Sequence, residues 1–106
     1  MTLTVIGKQL DVTDAQRMLV RRRVDKLARV LNHAALTAQA VISRERGMFV
    51  CELTMHTRGD HDLHGRGRDR LFAAAVTAAA DRVGAQAAKL AGRWKSRRAR
   101  PAERRH

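Results

Sequence analysis

Basic side chains recur at helical spacing in two parts of this sequence. Near the N-terminus, Arg23, Lys26 and Arg29 follow one another at intervals of three, the spacing of neighbours on one side of a helix. Nearer the C-terminus, Arg82, Lys89 and Arg93 recur at intervals of seven and four, and Lys95 continues the charge beyond them. Both side-chain types bind phosphate oxygens, and arginine can do so through two parallel hydrogen bonds. The chemistry that these residues indicate is the binding of a polyanion.

The overall charge supports the same interpretation. The 106 residues include 22 Lys and Arg against 10 Asp and Glu, a net charge of +12. Residues 69–106 alone hold ten basic and three acidic residues. A charge of this size favours association with nucleic acid or an anionic membrane surface. Because no apolar run approaches the length of a membrane span and the N-terminus lacks a signal-peptide pattern, we expect a cytoplasmic protein with no membrane partner.

A group of histidines and aspartates around one predicted turn could in principle hold a metal: His56, Asp60, His61, Asp62 and His64. Imidazole nitrogens and carboxylate oxygens are both common metal ligands. Nothing in the spacing orders them on one face of a helix, however, and polar residues are common in turns. We therefore interpret the group as a solvated hairpin and expect no metal site, while a metal-dependent enzyme remains an alternative.

Other signals of catalysis are weak. Cys51 is the single cysteine, so it can form neither an intrachain disulfide nor a cysteine-based zinc cluster. It alternates with apolar residues, as a core thiol does. Gly65-Arg66-Gly67 lacks the strand-to-helix context of a phosphate-binding glycine motif. We predict that the protein is not an enzyme and has no catalytic residue, cofactor or small-molecule substrate.

The predicted elements place the first set of cations on a helix. A short strand over residues 3–7 precedes Thr13-Asp14-Ala15-Gln16, which has the pattern of a capping box at a helix start. Apolar residues at intervals of three and four predict the buried side of this helix: Val20, Val24, Leu27 and Leu31. We expect the helix to end at Asn32-His33.

Three strands are predicted next, over residues 36–44, 49–56 and 63–68, with turns between them. A second helix is predicted over residues 69–100. Its apolar side has seven members: Phe72, Val76, Ala79, Val83, Ala87, Leu90 and Trp94. Proline disfavours helix, so we expect this helix to end by Pro101.

This order predicts an α+β fold, βαβββα, with a four-stranded sheet and two helices packed on one face. The folded domain is predicted over residues 1–95, followed by a basic, disordered tail over 96–106. Two helices side by side would place both basic flanks on one surface, which suits a phosphate backbone. The chain has only three aromatic residues other than histidine, too few for base-stacking platforms, so we expect recognition by shape and phosphate contact.

Several segments together resemble the ribosome hibernation promoting factor family, also called the sigma-54 modulation or ribosome-associated inhibitor family, in its short form. Residues 6–14, IGKQLDVTD, resemble the strand-to-helix junction of that family. Residues 20–27, VRRRVDKL, resemble its first helix, and 56–59, HTRG, the end of a strand before a glycine turn. Residues 81–89, DRVGAQAAK, resemble its last helix. The resemblance covers about residues 1–95.

The resemblance implies a fold similar to double-stranded RNA-binding domains and a partner in the small ribosomal subunit. It implies binding to rRNA in the decoding channel, where the protein blocks tRNA and mRNA during stress and acts beside other ribosome-associated factors. Carried over by position, the RNA-binding residues are Arg23, Lys26, Arg29, Arg82 and Lys89, with Arg93 and Lys95 as additions. The alternative is a general nucleic-acid-binding protein that coats DNA or RNA without a ribosomal site.

Overall fold

Six elements follow one another in the predicted order, βαβββα. The computed structural model describes residues 1–32 and 34–103, and side chains as far as Trp94. The elements are β1 (Thr2–Gly7), α1 (Asp14–Val30), β2 (Ala35–Glu45), β3 (Met48–Thr57), β4 (His61–Asp69) and α2 (Phe72–Glu103). The sequence therefore predicted the fold class correctly. Among the described residues, no helix is long and apolar enough to cross a membrane.

The start of α1 is fixed by the predicted capping box. The hydroxyl of Thr13 accepts a hydrogen bond from the backbone N–H of Gln16 at 3.1 Å, and the side chain of Gln16 accepts one from the N–H of Thr13 at 3.0 Å. Each bond satisfies an N–H that the helix leaves free. The helix ends at Val30, and Asn32 follows in the left-handed region with φ of 49°. All four residues of the predicted apolar side are buried.

The sheet has the strand order β1-β2-β3-β4. β1 runs parallel to β2 and is connected to it through α1, whereas β2, β3 and β4 form an antiparallel meander. A two-residue turn at Arg46-Gly47, with φ of 51° and 79°, joins β2 to β3. Two positive φ angles are the conformation of a tight hairpin turn, and glycine adopts it without strain.

The two faces of the sheet differ in polarity. The face towards the helices holds apolar residues on alternate positions of the two central strands: Ala38, Ala40, Ile42, Cys51, Leu53 and Met55. The opposite face, here called the open face, is polar, with Thr54, Glu52 and Arg66 among its side chains. Apolar residues also lie on this face, among them Ile6, Val41 and Val50. Of these Val50 is buried, with 1% exposure between its paired neighbours Ser43 and Arg68. The core lies between the sheet and the two helices.

Glycines set the position of α2. A Cβ atom at Gly65 would collide with the carbonyl oxygen of Ala79, and one at Gly67 would collide with that of Ala75. The backbone of α2 therefore lies directly on β4. On its other flank, α2 meets α1 at Gly84, where a Cβ would lie 3.3 Å from Cδ2 of Leu27.

The C-terminal end of α2 differs from the prediction. The helical backbone continues through Pro101 to Glu103, whereas the sequence predicted that the helix would end by Pro101. Proline removes one backbone N–H from the helix, and here it does so only in the last turns. The prediction of a disordered tail over 96–106 stays a prediction, because the side chains beyond Trp94 and residues 104–106 lie outside the described part.

Candidate nucleic-acid interface

The predicted cations of α1 lie together. Arg23, Lys26 and Arg29 line one depression of about 350 Å³, together with Arg22. These four positions follow spacings of one, three and three residues, so they occupy one side of the helix. Leu19 and Asp25 complete the lining. The structure thus groups all three α1 residues that the sequence predicted.

Arg22 is a member that the sequence analysis missed. It stands four residues before Lys26 and seven before Arg29, a spacing that places it on the same side of α1. The signal was therefore present in the sequence. Arg22 is exposed, and Arg23 is half-buried beside it.

Arg82 lies at the outer edge of β4 instead of on an open helix surface. Its guanidinium donates a hydrogen bond to the backbone carbonyl of Arg66. One turn further along α2, the side-chain amide of Gln86 donates to the carbonyl of His64 at 2.6 Å and accepts from the N–H of His64 at 2.9 Å. Since a guanidinium has several N–H donors, Arg82 can hold this edge and still present others to a phosphate.

Lys89 and Arg93 lie beyond Gln86 on the same flank of α2. They line a cleft of about 330 Å³ between this helix and the turn that joins β3 to β4, which contributes Asp60, His61 and Asp62. None of the ion pairs among the described side chains involves either cation. Lys95, the last predicted binding residue, has a side chain outside the described part of the structure.

The α2 cations lie on a different flank of α2 from the one that packs against α1. Gly84 faces α1 and Arg82 faces β4, and residues two apart on a helix point about 200° apart. Lys89 and Arg93 lie with Arg82 on the β4 side. α1 packs against the flank of α2 that carries Gly84, and the α2 cations lie on the flank towards β4. The expectation that both groups form a single basic surface stays a prediction.

His56 contacts two aspartates, whereas His61 and His64 contact other residues. Nδ1 of His56 lies 2.6 Å from Oδ1 of Asp62, and Nε2 of His56 lies 3.9 Å from Asp60. His64 pairs with the hydroxyl of Thr54 at 3.0 Å, while the ring of His61 is 6.5 Å from that of Trp94. Within residues 1–32 and 34–103, no three His, Cys, Asp or Glu residues are arranged to hold a metal.

Cys51 lies in the core between the sheet and the helices, with 1% of its surface exposed. Burial raises the pKa of its thiol from 9.0 to about 12, and the charge of the neighbouring Glu52 adds to the increase. The thiol is therefore protonated at neutral pH, a state that is unreactive towards electrophiles.

The open face of the sheet is close to neutral. Arg66 forms ion pairs with Glu45 at 3.1 Å and with Glu52 at 3.5 Å. A depression of about 320 Å³ on this face is lined by hydroxyl and amide side chains, with one alanine and one histidine: Thr2, Thr4, Thr37, Ala38, Gln39, Thr54 and His56. The described cations without a paired acid thus lie mainly on the helices.

The comparisons with known proteins identify the family. The sequence profile of the family described as "Sigma 54 modulation protein / S30EA ribosomal protein" matches residues 3–95. The chain belongs to this family. Members of the S30EA family are ribosome-associated and have no enzymatic activity, and this chain is therefore a non-enzymatic, ribosome-associated protein.

Solved structures agree with the S30EA assignment. The N-terminal domain of Protein Y from Thermus thermophilus is similar with a TM-score of 0.75 at 25% identity, over 85% of this chain and 99% of that one. A ribosomal subunit interface protein from Coxiella burnetii has the same fold, with a TM-score of 0.68 at 12% identity over 91% and 99% of the two chains. A search of curated protein sequences found no match.

Proposed function

We propose that this S30EA protein binds rRNA of the small ribosomal subunit in the decoding channel and sterically blocks tRNA and mRNA. The observation that carries the proposal is the α1 depression, where Arg22, Arg23, Lys26 and Arg29 lie side by side in a member of a ribosome-associated family. Four adjacent cations with one acid among them suit the phosphates of folded RNA. Arg82, Lys89 and Arg93 add contacts on the β4 side of α2, and Lys95 follows them in the chain.

The mechanism in this proposal needs no chemical step. The helices present phosphate-binding side chains, and the folded domain fills a space that tRNA and mRNA need. Because binding releases counterions from RNA, affinity falls as salt rises. A protein that blocks translation in this way acts in the cytoplasm, under stress or slow growth, beside other ribosome-associated factors.

Co-sedimentation with purified small subunits at low and physiological salt tests the proposal. The variant Arg23→Ala/Lys26→Ala/Arg29→Ala is compared with Arg58→Ala/Arg68→Ala/Arg70→Ala, which removes the same charge from exposed positions elsewhere. We expect the α1 variant to leave the subunit at lower salt than the wild type, and the control to stay close to it. If both variants dissociate together, net charge alone drives binding and the α1 site is not supported.

General coating of nucleic acid is the second candidate, since a net charge of +12 suits any polyanion. It predicts that plain duplex DNA competes as well as ribosomes do, at equal phosphate concentration. A ribosomal site predicts that the protein stays bound to the small subunit at concentrations of duplex DNA that displace a simple polycation from it. Protection of decoding-channel nucleotides from chemical probes then locates the site.

A further inference from the structure

The cleft beside α2 combines groups that a phosphate site alone does not need. Lys89 and Arg93 lie on its helix side, and Asp60 lies on its turn side. Its floor includes Leu63 and Leu90, which are 6% and 4% exposed. The volume of about 330 Å³ falls at the lower end of the range for small-ligand sites, ~300–1,000 Å³.

A carboxylate near a phosphate site repels phosphate, so its presence in this cleft indicates a second kind of group to be bound. Asp60 is accessible to a ligand, because its side chain is 97% exposed and its contact with Nε2 of His56 is a long one at 3.9 Å. Asp62 is held instead by its 2.6 Å contact with Nδ1 of His56. A carboxylate only accepts hydrogen bonds when ionised, so the group that it binds must be a donor.

An unstacked nucleotide of RNA supplies both kinds of group. Its phosphate suits Lys89 and Arg93, and the edge of its base can reach the carboxylate. Guanine presents two adjacent N–H donors on its Watson–Crick edge, which match the two oxygens of a carboxylate. Uracil presents one donor between two acceptors, and the acceptors repel the second oxygen.

The walls of the cleft also suit a flat ring. The leucine side chains offer an apolar floor, and the imidazole of His61 is positioned near Trp94, with ring centres 6.5 Å apart. Unpaired bases in RNA–protein complexes are stacked on aromatic or histidine rings and bonded along their edges. We infer that this cleft binds an unstacked guanosine of RNA, with Lys89 and Arg93 on its phosphate and Asp60 on its base.

This inference rests on the proposed binding of RNA and adds a base preference to it. The test uses two RNA hairpins that differ only in one bulged nucleotide, a guanosine or a uridine. Fluorescence anisotropy with the full chain should show tighter binding of the guanosine hairpin by at least about fivefold, the lower limit for a bidentate base contact. Equal binding of the two hairpins by the wild type, or no measurable binding of either, overturns the inference.

Two variants separate base readout from charge. Asp60→Asn keeps the turn, because φ is 62° at this position and Asn tolerates positive φ. This variant should lose the preference for the guanosine hairpin and bind the uridine hairpin as tightly as the wild type does. Asp81→Asn makes the same charge change at an exposed position on another side of α2 and should keep the preference. A preference that persists in Asp60→Asn overturns the inference.

Lys89→Ala tests the phosphate side of the cleft. We expect it to weaken both hairpin complexes by a similar factor, because a phosphate contact carries no base information. A loss confined to the guanosine hairpin would contradict this assignment. Co-sedimentation of Asp60→Asn with ribosomes is the separate readout for the proposed function. If this variant still sediments with ribosomes and the wild type shows no base preference between the hairpins, the guanosine site is rejected and the proposed function is not.

Discussion

The side-chain amide of Gln86 pairs with the peptide group of His64 in both directions, accepting from its N–H at 2.9 Å and donating to its carbonyl at 2.6 Å. This is the pattern that a further strand would make with β4. Together with the bond from Arg82 to the carbonyl of Arg66, it occupies hydrogen-bonding groups on the free edge of the sheet. An edge left open pairs readily with other chains, so α2 both positions cations and closes this edge.

Gln86→Ala should therefore open the edge of β4. We expect a loss of about 1 kcal/mol in the free energy of unfolding, with self-association that increases with protein concentration. Chemical denaturation and light scattering measure the two effects. Gln39→Ala, at an exposed position on the open face, is the control. If Gln86→Ala stays monomeric and has the same free energy of unfolding as the wild type, water replaces the amide at the edge of β4 and the prediction is wrong.

Two glycine-to-alanine changes should have opposite effects. At Gly67 the added Cβ meets the carbonyl oxygen of Ala75 and the backbone of Ala79, so α2 must move away from β4. We expect a loss of at least about 3 kcal/mol, as for severe overpacking. At Gly92 nothing lies within 4 Å of the added Cβ, and alanine should stabilise the helix by ~0.5–1 kcal/mol. Thermal unfolding of both variants checks the signs.

Cys51 should make stability depend on alkaline pH. Because its folded pKa of about 12 exceeds the usual 9.0, the folded state retains a proton that the unfolded state releases between these values. Stability is thus fully present below pH 9 and falls as pH rises towards 12. Between pH 8 and 10, the wild type should lose about 1.4 kcal/mol more than Cys51→Ala. Parallel urea titrations test this, and equal losses would contradict it.

Arg22 should contribute to ribosome binding although the sequence analysis passed over it. Arg22→Ala should weaken binding to small subunits and reduce the slope of log affinity against log salt by about 1. The neighbouring Arg21→Ala removes the same charge from an exposed side chain outside the depression. If the two variants behave alike, the depression has no special role.

Local patterns predicted most of the fold. Thr13 and Gln16 form the start of α1 within four residues of sequence, and the alternation of Cys51, Leu53 and Met55 identifies the buried side of β3 without any distant information. Such signals depend on neighbours along the chain, which a sequence displays directly. The end of α2 was less predictable, because one proline in the last turns does not stop the helix.

The sequence could not predict the arrangement of the cations around α2. Periodicity places Arg82, Lys89 and Arg93 on one side of the helix, but it does not say which neighbour that side meets. The answer depends on tertiary contacts: Gly65 admits the helix backbone on one flank, and Gly84 admits α1 on another. From the neighbouring sequence alone, both glycines indicate only a low propensity for helix or strand.

Gly84 also has a consequence for how this protein can diverge. A Cβ there would already lie 3.3 Å from Leu27, so a larger residue would push α1 and α2 apart. The α1 cations and the α2 cations would then separate while each kept its identity. A substitution at one uncharged position can thus change the spacing of phosphates that the two groups of cations fit. The RNA surface that the protein binds can therefore change during evolution without a change in any residue that contacts RNA.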